Sequence, residues 1–228
     1  GLTVSLRGLI EVELSCVALD ADVHSGLWGG VVPDPALALC KIIARLVDDD
    51  GRILVGRREI PQADIDNAAR VPFDREVVRR GGHMVEGVEP LPPRDVPPAI
   101  WMWRQPSLTV LSTTLPVPGK EKNAIRKTAS AKLSVRLAPD QSSAEMFELL
   151  KAAAEANPPC GVNVSLQKVH EFGEGWLYEP KGPAFPAADR AYEKAWGQKL
   201  ARVGVGGSIP FVALFGRKYG DLPLILNG

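Results

Sequence analysis

Thr128-Ala129-Ser130-Ala131-Lys132-Leu133-Ser134-Val135-Arg136-Leu137 alternates from end to end. Ala129, Ala131, Leu133, Val135 and Leu137 fall on one face, and Ser130, Lys132, Ser134 and Arg136 on the other. A period of two sustained over this length predicts a half-buried strand. Pro139-Asp140 ends it. Ser142 and Glu145 then have capping-box spacing, and Met146, Leu149, Leu150 and Ala153 follow at helical spacing, so a helix is expected up to Asn157-Pro158-Pro159. Val162, Val164 and Leu166 alternate with Asn163, Ser165 and Gln167, which predicts a further strand.

Working outward to the N-terminal side, 107–117 reads as a strand bounded by prolines. Ile10, Val12, Leu14 and Cys16 oppose Glu11, Glu13 and Ser15 in another. Val4 and Leu6 oppose Ser5 and Arg7 just before it, with Gly8 as a bulge joining the two stretches. Asp34-Pro35 is an N-cap followed by proline at the first helical position. Ala36, Leu39, Ile43 and Leu46 then recur at helical spacing until Asp48-Asp49-Asp50-Gly51. The order strand, helix, strand, strand, helix, strand predicts an α+β, ferredoxin-like two-layer sandwich: a four-stranded antiparallel sheet with two helices on one face. The polar sheet face, Arg136 included, is left for solvent, a ligand or a second subunit.

Residues 51–106 interrupt that pattern and read as an insertion. Short helices are expected near 62–70 and 74–80, an extended Pro-rich connector over 90–98, and Trp101 and Trp103 packed on the sheet unit. Beyond 178 the character changes again. A helix is expected over 186–196, then a glycine cluster at 204–207 and apolar runs at 209–215 and 222–226. These pieces do not fit inside the ferredoxin-like unit. They are expected to be the least stable part of the chain, because their apolar faces lack a partner layer.

The 228 residues carry 27 Lys and Arg against 27 Asp and Glu, and 45% are hydrophobic. A net charge of zero predicts no nucleic acid and no anionic membrane as partner. No apolar run approaches the ~18 residues of a membrane span, and the opening GLTVSLRGLIEVEL alternates unlike a signal peptide. Cys16, Cys40 and Cys160 form no C-x-x-C, which points to a reducing, cytoplasmic location.

The histidines are His24, His83 and His170, with no H-x-D, no H-E-x-x-H and no adjacent pair of glutamates. No metal site is expected from these residues. Asp48-Asp49-Asp50 reads as a solvated helix end, His83 as a loop residue, and His170 as the exposed end of a strand. Gly204-x-Gly206-Gly207-Ser208 has neither P-loop nor dinucleotide spacing. It reads either as a tight turn or as a place where backbone N–H groups meet a carboxylate or oxyanion.

Four separated stretches carry a resemblance: Ser5-Leu6-Arg7-Gly8, Asp22-Val23-His24-Ser25-Gly26-Leu27-Trp28-Gly29-Gly30, Ala131-Lys132-Leu133-Ser134-Val135-Arg136-Leu137-Ala138-Pro139, and Val205-Gly206-Gly207-Ser208-Ile209-Pro210-Phe211. In that order the chain resembles the M20 metallopeptidases: carnosinase-like dipeptidases, acetylornithine deacetylase and succinyl-diaminopimelate desuccinylase. The second and fourth stretches most resemble the dipeptidase branch.

The resemblance implies a lid, or dimerisation, domain over 1–178, with 51–106 as a divergent insertion, and a C-terminal piece of an α/β zinc-peptidase catalytic domain over 179–228. It implies a parent enzyme that hydrolyses an amide bond in a small peptide or N-acyl amino acid with two zinc ions. None of these residues would be a metal ligand, and the chain alone would be inactive. It implies a homodimer through the lid. His24 would cross to the partner's site and donate a hydrogen bond to the oxyanion. Arg136 would hold the substrate carboxylate. Asn123 would assist binding, in Asn-Ala-Ile-Arg where the family often has Asn-x-Ile-Pro. Gly206, Gly207 and Ser208 would line the substrate pocket, and Arg7 would bind substrate or support the hinge. From the residues alone two other readings stay open for His24 and Arg136, a turn-supporting histidine and a sheet-surface ion pair. The alternative function is a non-enzymatic ferredoxin-like ligand-binding or dimerisation module.

Overall fold

A computed structural model describes residues 1–116, 119–170, 172–198, 200–219 and 224–227. Strands β1 (Leu2–Leu6) and β2 (Gly8–Val17) open the chain, followed by the short β3 (Val23–His24) and helices α1 (Ser25–Trp28) and α2 (Pro35–Arg45). Asp34 Oδ1 accepts from the Ala36 N–H at 2.8 Å and Pro35 fills the first turn, so α2 begins where the cap and proline predict.

The insertion supplies α3 (Gln62–Ala68), α4 (Arg75–Gly81) and α5 (Pro98–Arg104). Then come β4 (Ser107–Thr113), β5 (Ala124–Ile125), β6 (Thr128–Leu137), α6 (Ser143–Glu155), β7 (Asn163–Lys168) and β8 (Trp176–Leu177). Helix α7 (Ala184–Trp196), β9 (Arg202–Val205), α8 (Pro210–Lys218) and β10 (Leu226–Asn227) close the chain.

The first sheet runs β4-β6-β2-β7, antiparallel throughout, with α2 and α6 on one face. This is the predicted ferredoxin-like sandwich. Its central pair holds register from Gly8↔Leu137 to Val17↔Thr128 without a break. Ile10, Val12 and Leu14 therefore face the same side as Leu133 and Val135, and meet Leu39 and Ile42 of α2 and Met146 and Leu150 of α6 in one core. The alternation in β6 decides this, because a one-residue slip would turn the whole set to solvent.

A second sheet is centred on β1. Strand β9 pairs parallel along one edge, while β10 and β8 pair antiparallel with the two halves of the other. Only Arg7 separates β1 from β2, so the chain passes from one sheet to the other in a single residue. Gly8 begins β2 rather than bulging a continuous strand. A Cβ there would lie 2.8 Å from the Gly173 carbonyl oxygen and 2.9 Å from the Gly175 nitrogen, so the junction admits only glycine.

The sheets divide the chain differently from a cut at residue 178. Strands β1 and β8 belong with β9 and β10, because strand pairing is non-local and leaves no mark on the order of elements. The insertion also leans on the second sheet. Trp103, expected on the first unit, is buried with Ala68, Ala99 and Ile100 against Val203 of β9. The apolar run 209–215 lies largely in helix α8. The expected run 222–226 is described from Leu224 onward; positions 222 and 223 lie outside the described residues. Here Leu224 and Leu226 pack with Leu6, Trp176, Tyr178 and Val212.

Candidate functional site

Arg7, at the crossing between the sheets, is mostly buried. Its Nε donates to the Gly206 carbonyl at 2.8 Å and its Nη1 to Ser107 Oγ of β4 at 3.2 Å. One guanidinium thus holds the glycine loop after β9 to the edge strand of the first sheet. Ser208, in the same loop, donates from Oγ to the Arg7 carbonyl at 2.7 Å and accepts from Arg136 Nη1 at 3.0 Å. Strand pairing brings Arg136 there, since it lies opposite both Leu9 and Ser107.

Two guanidiniums therefore sit side by side. Among the described residues, neither has a carboxylate partner. Burial first, and the Arg136 charge second, push the Arg7 pKa down to about 10. Arg136 gives one donor to Ser208, and a guanidinium fork is a geometry that can grip a carboxylate in two places. The loop beside it is shaped for close approach. A Cβ at Gly206 would meet Arg7 Nη2 and Met102 Cγ, both at 3.2 Å, whereas at Gly207 the nearest atom is 4.0 Å away.

His24 and Asn123 meet elsewhere. Strand β3 pairs with β5 through Val23↔Ile125 and His24↔Ala124, and the Ser25 N–H donates to the Asn123 carbonyl at 3.0 Å. His24 caps α1, its Nδ1 accepting from the Gly26 N–H at 3.1 Å. A neutral imidazole that accepts at Nδ1 carries its proton on Nε2. Hence His24 is both the turn support that its residue type suggests and an exposed side chain with an N–H donor at its far end. Asp22 stands two residues before it. Its Oδ1 accepts from the Lys127 N–H at 2.9 Å and its Oδ2 from Arg126 Nη1 at 2.8 Å. These two donors hold the Asp22 carboxyl below the usual carboxylate range.

The two groups lie at opposite ends of β6. Thr128 to Arg136 is eight steps of strand, about 27 Å at the usual rise per residue. Arg7, Arg136, Gly206 and Ser208 form one cluster and His24 and Asn123 another, too far apart to touch one small substrate within a single copy. Sequence reasoning missed Ser107 and the Asp22–Arg126 pair. An alternating strand does not reveal which polar residue its neighbour opposes, and a single Asp and Arg at a separation of 104 leave no pattern.

Among the described residues no group of three or more His, Cys, Asp and Glu could hold a metal ion. Nor, among them, is any helix long and apolar enough to cross a membrane. His83 lies in a loop with φ of 50°, and the exposed His170 stands 3.6 Å from Glu11.

Residues 4–161 match the family model for the peptidase dimerisation domain of the M20 group. The chain is 32% identical over 232 aligned positions to a cysteinylglycine-S-conjugate dipeptidase of Corynebacterium striatum, covering all of this chain and 49% of that protein. It is 27% identical to the Cys-Gly metallodipeptidase of Saccharomyces cerevisiae, covering 94% and 46%. Among solved structures, the di-peptidase Dug1p from that yeast superposes with a TM-score of 0.73 at 25% identity, over 94% of this chain and 46% of that one. An M20 family metallo-carboxypeptidase from Sulfolobus solfataricus gives 0.73 at 24%, over 96% and 52%, a likeness of fold. The chain thus spans about half the length of these relatives.

Proposed function

Because this chain belongs to the M20 peptidase family through its dimerisation domain, we propose that it is the lid of a zinc-dependent dipeptidase or amino-acid deacylase. In this reading it supplies the groups that grip the substrate and stabilise the charge that develops on its amide. The zinc ions, two by family resemblance, belong to parts of the longer protein outside these 228 residues, and this chain alone does not hydrolyse peptides. The working enzyme is a cytoplasmic homodimer joined through the lid.

One observation carries the reading. Arg136 is fixed by Ser208 and has no carboxylate partner among the described residues, while His24, with its exposed N–H donor, belongs to the β3–β5 pair beyond the far end of β6, a strand that runs about 27 Å from Thr128 to Arg136. Two copies related by a two-fold axis can bring one His24 to the other's Arg136. Arg136 then takes the free carboxylate of the substrate. His24 donates through Nε2 to the amide oxygen as negative charge grows on it, and as a preset donor it acts most strongly when that charge is greatest. Asn123, beside His24, offers a side-chain amide to the same group. Gly206 and Gly207 let the substrate backbone lie close to the loop, and Arg7 holds that loop in place. The names of the relatives, dipeptidases for Cys-Gly and its conjugates, support a short peptide with a free carboxyl end.

The test compares free dipeptides with their C-terminal amides on the longer enzyme loaded with zinc. The expected result is a preference for the acid of about 10- to 100-fold, lost in Arg136→Ala. Equal cleavage of acid and amide by the unaltered enzyme would contradict the reading.

A further inference from the structure

We propose that Asp22 is the positioning residue for His24, gripping the 126–127 turn with both carboxylate oxygens so that the imidazole is held in one orientation. The need for such a device follows from the local architecture. Strand β3 and its partner β5 have two residues each, too few to hold register alone. Helix α1 is four residues long and none of them is buried; Leu27 and Trp28 are exposed. His24 itself is exposed, so burial does little to fix its ring.

What holds it is a wrap around Lys127. The Lys127 carbonyl accepts from the Ala18 and Leu19 N–H groups at 3.2 and 3.4 Å, and its own N–H donates to Asp22 Oδ1 at 2.9 Å. Residues 18–22 thus circle one residue and grip both its backbone groups. Arg126 closes the ring on Asp22 Oδ2 at 2.8 Å. The next two residues, Val23 and His24, fall into pairing with Ile125 and Ala124.

An exposed ion pair contributes little by itself. Here the carboxylate also accepts a backbone N–H, and a charged acceptor is the stronger kind. Its effect is one of register. If residues 22–25 slip, the Gly26 N–H no longer meets His24 Nδ1, and the proton is no longer confined to Nε2.

The catalytic meaning of this clamp rests on the proposed role of His24, but its physical effect does not. Nitrogen-15 spectra of the His24 ring and amide exchange at Ser25, whose N–H is bonded to Asn123, report it directly on the 228-residue chain. In Asp22→Ala, Ser25 exchange is expected to quicken about tenfold, the scale of one hydrogen bond to a charged group, and the ring proton to spread over both nitrogens. Asp22→Asn, which keeps an acceptor for the Lys127 N–H but loses the one facing Arg126, should restore part of both signals. Leu133 and Val135 in the β2–β6 ladder should exchange as before. Unchanged Ser25 exchange and an unchanged ring in Asp22→Ala would overturn the proposal, as would changes no larger than those in the ladder. Should Asp22→Ala fail to fold, Arg126→Gln carries the test: faster Ser25 exchange supports the clamp, and none overturns it. A longer enzyme whose turnover survives His24→Ala would remove the catalytic role and leave the clamp standing.

Discussion

In the proposed reading, Ser208 is the smallest group on which the substrate end of the site depends. Its hydroxyl ties the Arg7 carbonyl of the crossing to the Arg136 guanidinium of the first sheet. Ser208→Ala leaves Arg136 unanchored beside another positive charge. In the longer enzyme KM is expected to rise about tenfold with kcat little changed, since a bond to a charged group is lost; a fall in kcat at constant KM would argue against a binding role. Gly204 makes a second prediction at this scale. A Cβ there would lie 2.5 Å from Trp103 Cγ and 2.6 Å from Ser5 Oγ, and Trp103 is too buried to retreat. Gly204→Ala should destabilise the chain by about 1–3 kcal/mol, read as a lower urea midpoint. The glycine cluster was visible in the sequence, but what each glycine accommodates was not. Gly204 makes room for a tryptophan of the insertion, Gly206 for Arg7, and Gly207 leaves open space.

At the level of elements, β2, β6, α2 and α6 were legible because each buries one face against the same core and carries its own stop signals. Helix α5 was not. Its seven residues follow a proline-rich stretch and are too few to show a period, although Pro98 at its first position is a start signal. The placement of β1 was hidden for another reason. Its alternation predicts a strand, but nothing local says which sheet it joins. The turns of the insertion are held by carboxylates set among arginines: Asp48 by Arg57 and Arg52, and Glu89 by Arg75, Arg79 and Arg94. Hydrogen bonds from Arg57 and Arg75, first among several contributions, hold these two carboxyls below their ordinary values. A depressed folded value means a contribution fully present above the unfolded value and lost as pH falls through the folded one. The turns over 48–57 and 75–94 should therefore stay protected at neutral pH and loosen below the usual carboxylate range, before the β2–β6 ladder does. Amide exchange across an acid series checks this, and loosening on raising the pH instead would contradict it.

The molecule as a whole joins two units of unequal security. The first sheet buries its apolar face under two capped helices. The second has small clusters and leaves apolar side chains open, with Trp196 68%, Phe211 63% and Leu214 53% exposed. Limited proteolysis should cut within 179–228 before 107–170, because fewer buried contacts oppose local opening there; equal resistance would contradict this ordering. In the proposed reading the two ends of the site, one at the sheet crossing and one at the His24 hairpin, meet across two copies. Mixing inactive subunits of the longer enzyme tests this most directly. His24→Ala and Arg136→Ala homodimers should each be nearly inactive. After exchange of subunits, half of a random mixture is mixed dimers with one intact composite site each, so activity should return to about a quarter of the unaltered enzyme. A mixture no more active than its two parents would contradict a site built from two copies.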